Sequence, residues 1–331
     1  MSTHAIPVVP VELEEHPNAD SLSLVTVGGY SVCVRTEDWT DRDRGIYVPP
    51  DYVIETARPE FSFLANQARA DGTYRVRCKR FRGSLSWGLL IPAPDGAEVG
   101  DDFMASLGIK RWEPRIPASP RMMRANEVAP PAMNIPGMYD VENLQNPSYV
   151  NVFEPGEYVI ATEKIHGANA SYVYWDGEFH VKSRKRWIKD EEGNPWWEAL
   201  HKHDEIKKFL QENPGTIIMG EIYGRVQELR YGLENEVDFI AFDMWRDGDY
   251  LPYNEFNTLC ILNGIKNCQE LYIGDYNFSK LLEVAQGKSP LANMMHVREG
   301  IVVRPAEERY DHRCGRVHLK IINPDYLEKC K

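Results

Sequence analysis

The segment from residue 113 to residue 136, EPRIPASPRMMRANEVAPPAMNIP, constrains this chain more than any other stretch. It carries six prolines and follows neither a helical nor a strand period. Proline lacks a backbone N–H and has a fixed φ, so such a stretch joins folded units rather than forming one. With 331 residues, the chain has room for two domains of ordinary size. The expected division is a first domain over 1–115, a linker over 116–136 and a second domain over 137–331.

Apolar residues make up 43% of the chain and charged residues 27%, a balance that excludes fibrous and disordered classes. No apolar run approaches a membrane span, and the start MSTHAIPVVP lacks a basic region leading into an apolar stretch. A cytoplasmic protein is expected, with a nuclear one as the alternative, monomeric and without a membrane partner. The six cysteines form no CxxC pair, so they read as reduced core fillers rather than zinc ligands. A net charge of −12 argues against coating nucleic acid through overall charge. Any polyanion must therefore meet local basic patches.

Before the proline-rich segment, DSLSLVTVGGYSVCVR (20–35) reads as two strands around Gly28-Gly29, because both glycines tolerate positive φ. TYRVRCK (73–79) and SWGLLIP (86–92) read as further strands. In the first, Arg75, Arg77 and Lys79 alternate with Val76 and Cys78, which gives one basic and one buried face. Short strands with glycine turns point to a small OB-like β-barrel. After the segment, strand-like runs (EYVIA, SYVYW, TIIMGEIYG, DFIAFDMW, GIVVRP, VHLKII) alternate with helical stretches such as WWEALHKHDEIKKFLQEN and FSKLLEVAQ. The expected class is α+β, with an antiparallel sheet in the second domain.

Five short patterns there bear on chemistry. Lys164-Ile165-His166-Gly167 follows the EYVIA strand. A lysine is a nucleophile only when neutral, which calls for desolvation or nearby cations, for which Arg184, Lys185, Arg186, Arg304 and Lys320 are available. Gly167 would let a phosphate approach the backbone. VKSRKRWIK (181–189) holds five basic residues and no acid, and reads either as a solvated edge or as a phosphate grip led by Arg184. Glu221 and Glu299 each lie beside a glycine in an apolar run and need partners, whether arginines, a ribose hydroxyl or the water of a Mg²⁺ ion. Phe242 is either core or a base stack, and Lys320 either an edge residue or a ligand contact.

In their order along the chain, these patterns over 139–331 resemble the covalent nucleotidyltransferase superfamily of DNA ligases, RNA ligases and capping enzymes. Lys164 to Gly167 is similar to K-x-[DH]-G, and Ser183-Arg184, Gly220-Glu221, Phe242-Asp243, Glu299 to Val302 and Lys320 follow the later motifs. EKIHGAN resembles the clade of the second RNA ligase of phage T4. The whole chain, with YDVENLQN and RCKRFRGSLSWGLL, resembles the Deinococcus-type RNA ligases, which carry an OB domain ahead of a ligase (adenylylation) domain. The chain departs from the common final K-x-K at Ile322.

The resemblance implies an ATP-dependent RNA ligase that joins 3′-OH and 5′-phosphate ends, for RNA repair, through lysyl-AMP and RNA-adenylate, with Mg²⁺ or Mn²⁺. The RNA ends can lie in a nicked duplex or an RNA/DNA hybrid. It makes Lys164 the nucleophile and places Glu163, Ile165, Arg184, Glu221, Phe242, Glu299 and Lys320 around the nucleotide. His166 and Asn169 serve the RNA 5′-phosphate, and Glu299 places the metal through water. Asp243 is read as equally fit for a structural role.

Two alternatives stand beside this reading. HPNADSLSL (16–24) is similar to tRNA-binding OB modules, so the protein can be read as a non-catalytic RNA- or tRNA-binding protein. Arg75, Arg77, Lys79, Arg80 and Arg82 would then track phosphates, with Phe81 or Trp87 stacking on bases. A DNA ligase or guanylyltransferase of the same superfamily is the other. The short tail after Lys320 leaves no room in the sequence for a C-terminal OB domain, which favours RNA ligase.

Overall fold

The computed structural model describes residues 5–112, 127–137, 140–146, 149 and 151–329. The first domain is built from short antiparallel strands. Leu22–Val27 and Tyr30–Arg35 form the expected hairpin, with Val27 opposite Tyr30 and Gly28 and Gly29 at φ 55° and 81°. A side chain at Gly29 would strike Phe278, and one at Gly28 would strike the Gln145 carbonyl. The hairpin tip thus seats on the second domain.

The run 73–79 is two strands rather than one, Thr73–Arg75 and Lys79–Phe81, interrupted where Val76 and Cys78 turn into the core. Cys78, Cys260 and Cys268 are buried as expected, but Cys33 and Cys314 are only half-buried, and Cys330 lies outside the described residues.

Two sheets make up the second domain. The seven-stranded one runs in the order Glu127–Val128, Trp187–Ile188, Glu178–Ser183, Ala168–Trp175, Ile217–Gly224, Val237–Arg246, Asp249–Tyr250, antiparallel throughout. The five-stranded one runs Glu142–Asn143, Leu319–Ile322, Gly300–Pro305, Tyr158–Lys164, Glu270–Asp275. Its first pair is parallel and the rest antiparallel. Residues 113–126 of the proline-rich segment lie outside the described residues. Its end is not free of structure: Glu127–Val128 pairs with Trp187–Ile188, and Met133 and Ile135 pack beside Trp187 and Met219.

Strand alternation sets the site. On the seven-stranded sheet Ala170, Tyr172, Ile218 and Ile222 pack with Trp197, Leu200, Ile206 and Phe209 of the helices Pro195–Lys202 and Asp204–Glu212. Side chains alternate across a strand, so Asn169, Ser171, Met219 and Glu221 take the opposite face. On the five-stranded sheet Val159, Ala161, Ile301, Val303, Leu319 and Ile321 share one apolar core with Val25, Val32 and Trp87 of the first domain. Thr162, Lys164, Val302, Arg304 and Lys320 alternate with them. Among the described residues no helix is long and apolar enough to cross a membrane.

Candidate active site

Lys164 ends its strand opposite Gly300, and Gly300 in turn faces Ile322. Its Nζ donates to Glu299 Oε1 at 2.7 Å, with 24% of the Lys164 side chain exposed. Burial is the largest single influence and pushes this ammonium down, but the Glu299 and Glu221 carboxylates together outweigh it and hold Lys164 above its ordinary value. The expectation of a depressed pKa in the free protein is corrected here, and the reason is where the cations went. Arg304 is buried at 1% exposure, donates to the Phe242 carbonyl at 3.1 Å and lies 3.9 Å from Asp243. Arg184 donates to Asp140 at 2.6 Å, and Lys185 and Arg186 are exposed. Lys320 is tied electrostatically to Lys164. Burial first, then the charge of Lys164, pushes its ammonium down to about 8.

Two carboxylates complete the centre. Glu221 sits opposite Asn169, and burial raises its carboxyl to about 8, against the pull of Lys164. Glu299 Oε2 is buried without a hydrogen-bond partner, 3.8 Å from His166 Nδ1. A buried carboxylate oxygen with spare capacity suits a hydrated divalent ion, which keeps several waters. Among the described residues no group of three or more His, Cys, Asp or Glu side chains is placed to hold a metal, so phosphate oxygens and water would have to supply the other ligands.

His166 is held on three sides. Its backbone N–H donates to the Tyr231 hydroxyl at 2.7 Å, Nε2 lies 3.1 Å from Glu228, and Nδ1 lies 2.8 Å from the Tyr326 hydroxyl. Sequence reasoning missed Tyr231, Glu228 and Tyr326; none lies in a motif, and each reaches His166 from at least 62 residues away. Gly167 has a packing reason of its own. A side chain there would come within 2.1 Å of the Ile222 carbonyl, so the neighbouring strand demands glycine.

The nucleotide candidates scatter in character. Glu163 is 2% exposed, with Oε1 buried and unpaired, and burial raises its carboxyl. Ile165 is core, packed with Tyr223, Tyr231 and Ile240. Phe242 is partly buried between two apolar clusters. Asp243 is fully buried and paired with Arg316, a structural role.

In the first domain the basic strand is partly committed elsewhere. Arg75 donates to Asp51 at 2.5 and 3.0 Å and lies 3.2 Å over the Trp112 ring. Lys79 donates to Gln67 at 2.7 Å, and Arg80 reaches Asp325 at 3.3 Å. Arg77 is half-buried and Arg82 exposed. Trp87 is 2% exposed and stacked on Tyr30 at 4.6 Å, so it cannot stack on bases as expected; Phe81, 40% exposed, can.

Comparison with known proteins agrees with this geometry. A family model for RNA ligase matches residues 157–322, half of the chain, and an OB-fold domain model matches residues 8–93. No curated protein matches the chain. Among solved structures it is similar to a Naegleria gruberi RNA ligase with PPi, at 25% identity over 99% of both chains and a TM-score of 0.80. A lysine mutant of a Naegleria gruberi RNA ligase with ATP and Mn matches at 25% identity over 98% of both chains, TM-score 0.78. Another lysine mutant, with AMP and Mn, matches at 25% identity over 99% of both chains, TM-score 0.78. With an OB-fold domain at its N-terminus and the ligase match spanning both sheets around Lys164, this chain belongs to the RNA ligase family.

Proposed function

We propose that the protein is an ATP-dependent RNA ligase that joins RNA 3′-OH and 5′-phosphate ends, with its first domain, over about 1–115, as an RNA-binding unit. The observation that carries the reading is the Lys164–Glu299 contact at 2.7 Å on a cleft shared with Glu221, His166 and Lys320. Neutral Lys164 attacks the α-phosphate of ATP; an N–P bond forms and pyrophosphate leaves. The AMP passes to the RNA 5′-phosphate, and the 3′-OH then displaces it. These are phosphoryl-type transfers, so positioning and electrostatics dominate.

Glu163 presents a buried acceptor oxygen suited to the adenine amine. Phe242 offers the base an aromatic face, and Glu221 with Arg184 holds the ribose. Protonated Lys320 grips the α-phosphate. Mg²⁺ or Mn²⁺ beside Glu299 would supply positive charge to the reacting phosphate. An ion held there would compete with Lys164 for the Glu299 carboxylate and so would weaken one of the two charges that keep the amine protonated. His166 and Asn169 serve the RNA 5′-phosphate, with Tyr326 and Glu228 fixing the ring of His166. Because Ile322 lies in register with Lys164, no second lysine of that strand points at the nucleophile.

Incubation with ATP and a divalent cation, read by intact mass, tests the first step. The wild-type chain is expected to gain one AMP and Lys164→Ala none. Absence of the adduct with every metal tried would sink the reading.

A further inference from the structure

The helix Pro324–Lys329 and the residue before it touch the active site at two points. The Asn323 N–H donates to the Glu299 carbonyl at 2.9 Å, and its side-chain amide donates to the Arg298 carbonyl at 3.1 Å. Further along, the Tyr326 hydroxyl lies 2.8 Å from His166 Nδ1, with the two rings edge to face at 5.4 Å. The entry of the helix is thus tied to Glu299 and its inner side to the His166 ring. Any shift of this helix moves the hydroxyl that holds His166.

The first domain reaches the same helix through the hairpin formed by Lys79–Phe81 and Ser84–Ser86. Arg80 and Leu85 are cross-strand partners there, so they share a face. Leu85 packs against the apolar cluster that holds Tyr326, and Arg80 Nη2 lies 3.3 Å from Asp325 Oδ1. Cys78 and Trp87, which flank the hairpin, belong to the same cluster. Consecutive helical positions point about 100° apart, so Asp325 can face the hairpin while Tyr326 faces His166. The Asn323 anchor fixes where the helix begins; a contact one residue from Tyr326 acts on how the helix turns about its axis. As a stabilising contact, an exposed ion pair between neighbouring domains is worth little. As a positioning contact it can matter more, because a displacement of about 1 Å is enough to slow a reaction.

We propose that Arg80 and Asp325 are positioning residues for the transfer of AMP to RNA: through this pair the hairpin of the first domain sets the helix Pro324–Lys329, and with it the His166 ring. The inference rests on the RNA ligase reading for the step that His166 serves. The test compares the full-length wild type with Asp325→Asn, Arg80→Asp and the exchange Arg80→Asp/Asp325→Arg. Thermal melts identify any variant that does not fold.

Single-turnover transfer from preformed lysyl-AMP, at saturating 5′-phosphorylated RNA, is expected to slow roughly two- to fivefold in each single variant, the range that an exposed ion pair spans. The exchange should recover most of the rate, and lysyl-AMP formation should not slow with it. RNA affinity, read by fluorescence anisotropy, separates positioning from direct contact. Removing a carboxylate near a polyanion leaves binding equal or tighter, so slower transfer by Asp325→Asn at full occupancy is not lost binding. Wild-type transfer by Asp325→Asn, weaker RNA binding that accounts for its loss, an exchange no better than Arg80→Asp, or equal slowing of lysyl-AMP formation overturns the proposal. A second arm needs no catalysis: the ring-nitrogen NMR signal of His166, identified by its absence in His166→Ala, should move in the single variants and return in the exchange. A signal that stays in place overturns the proposal as well. Failure of the wild type to form lysyl-AMP would instead tell against the ligase reading, while this arm would still decide whether the pair sets His166.

Discussion

Lys164 Nζ and Glu299 Oε1 lie 2.7 Å apart, although 135 residues separate them in the chain. The contact stores the nucleophile as an ammonium, so Glu299 restrains Lys164 in the free protein while standing ready for other work. Glu299→Gln removes the larger of the two carboxylate charges that raise Lys164 but keeps the shape. Reaction of free Lys164 with an amine-directed reagent is therefore expected to titrate at lower pH in the variant, while lysyl-AMP formation slows by roughly 10²-fold or more as metal placement fails. An unchanged titration of Lys164 would mean that the contact does not set its protonation.

Lys320 carries a prediction about alkaline pH. Burial brings its ammonium to about 8, and only the charged form grips a phosphate. ATP affinity should thus weaken as pH rises through about 8. Lys320→Arg, whose guanidinium stays charged, should move that loss to higher pH. Nucleotide titrations of both proteins between pH 7 and 9.5 measure it.

Glu221 should leave a mark on stability. Its carboxyl is raised from 4.5 to about 8, so between those values the folded state binds more protons than the unfolded chain. Stability from this group is present at low pH and declines as pH rises through the window. Glu221→Gln is expected to remove that decline and to be more stable than wild type by about 1–3 kcal/mol at pH 8.5. Denaturant melts at pH 5 and pH 8.5 compare the two, and parallel curves would contradict it.

His166 separates the steps. His166→Ala should still form lysyl-AMP yet transfer AMP to RNA poorly. Tyr326→Phe, which removes the hydroxyl 2.8 Å from Nδ1, should alter the pH profile of transfer without abolishing it. Single-turnover AMP transfer from preformed lysyl-AMP reads both. A transfer rate in His166→Ala equal to wild type removes the histidine from the later steps.

Trp87 belongs to stability rather than to RNA. Trp87→Ala is expected to cost about 3–5 kcal/mol. The milder Trp87→Phe should keep RNA binding, since the ring is buried against Tyr30. A loss of RNA affinity in Trp87→Phe without a change in melting would reverse this assignment.

The sequence by itself determined most of the strands, the order of an OB-fold domain followed by a ligase domain, and the residues that meet around Lys164. Alternation in EYVIATEK and TIIMGEIYG, and two glycines between β-rich runs, are local signals that neighbouring side chains enforce. Motif order supplied Lys164, Glu221, Glu299 and Lys320 together because the chain visits one cleft repeatedly. Only the tertiary structure decided which charges meet. Arg304 went to Phe242 and Asp243, Arg75 to Asp51 and Trp112, and His166 to Tyr231, Glu228 and Tyr326. It also gave Gly167 a strand contact that the sequence does not announce, and turned Trp87 from a base stack into core. The reason is physical: strand periodicity is written in adjacent residues, whereas ion pairing and burial depend on distances between strands far apart in the chain, which no local pattern encodes.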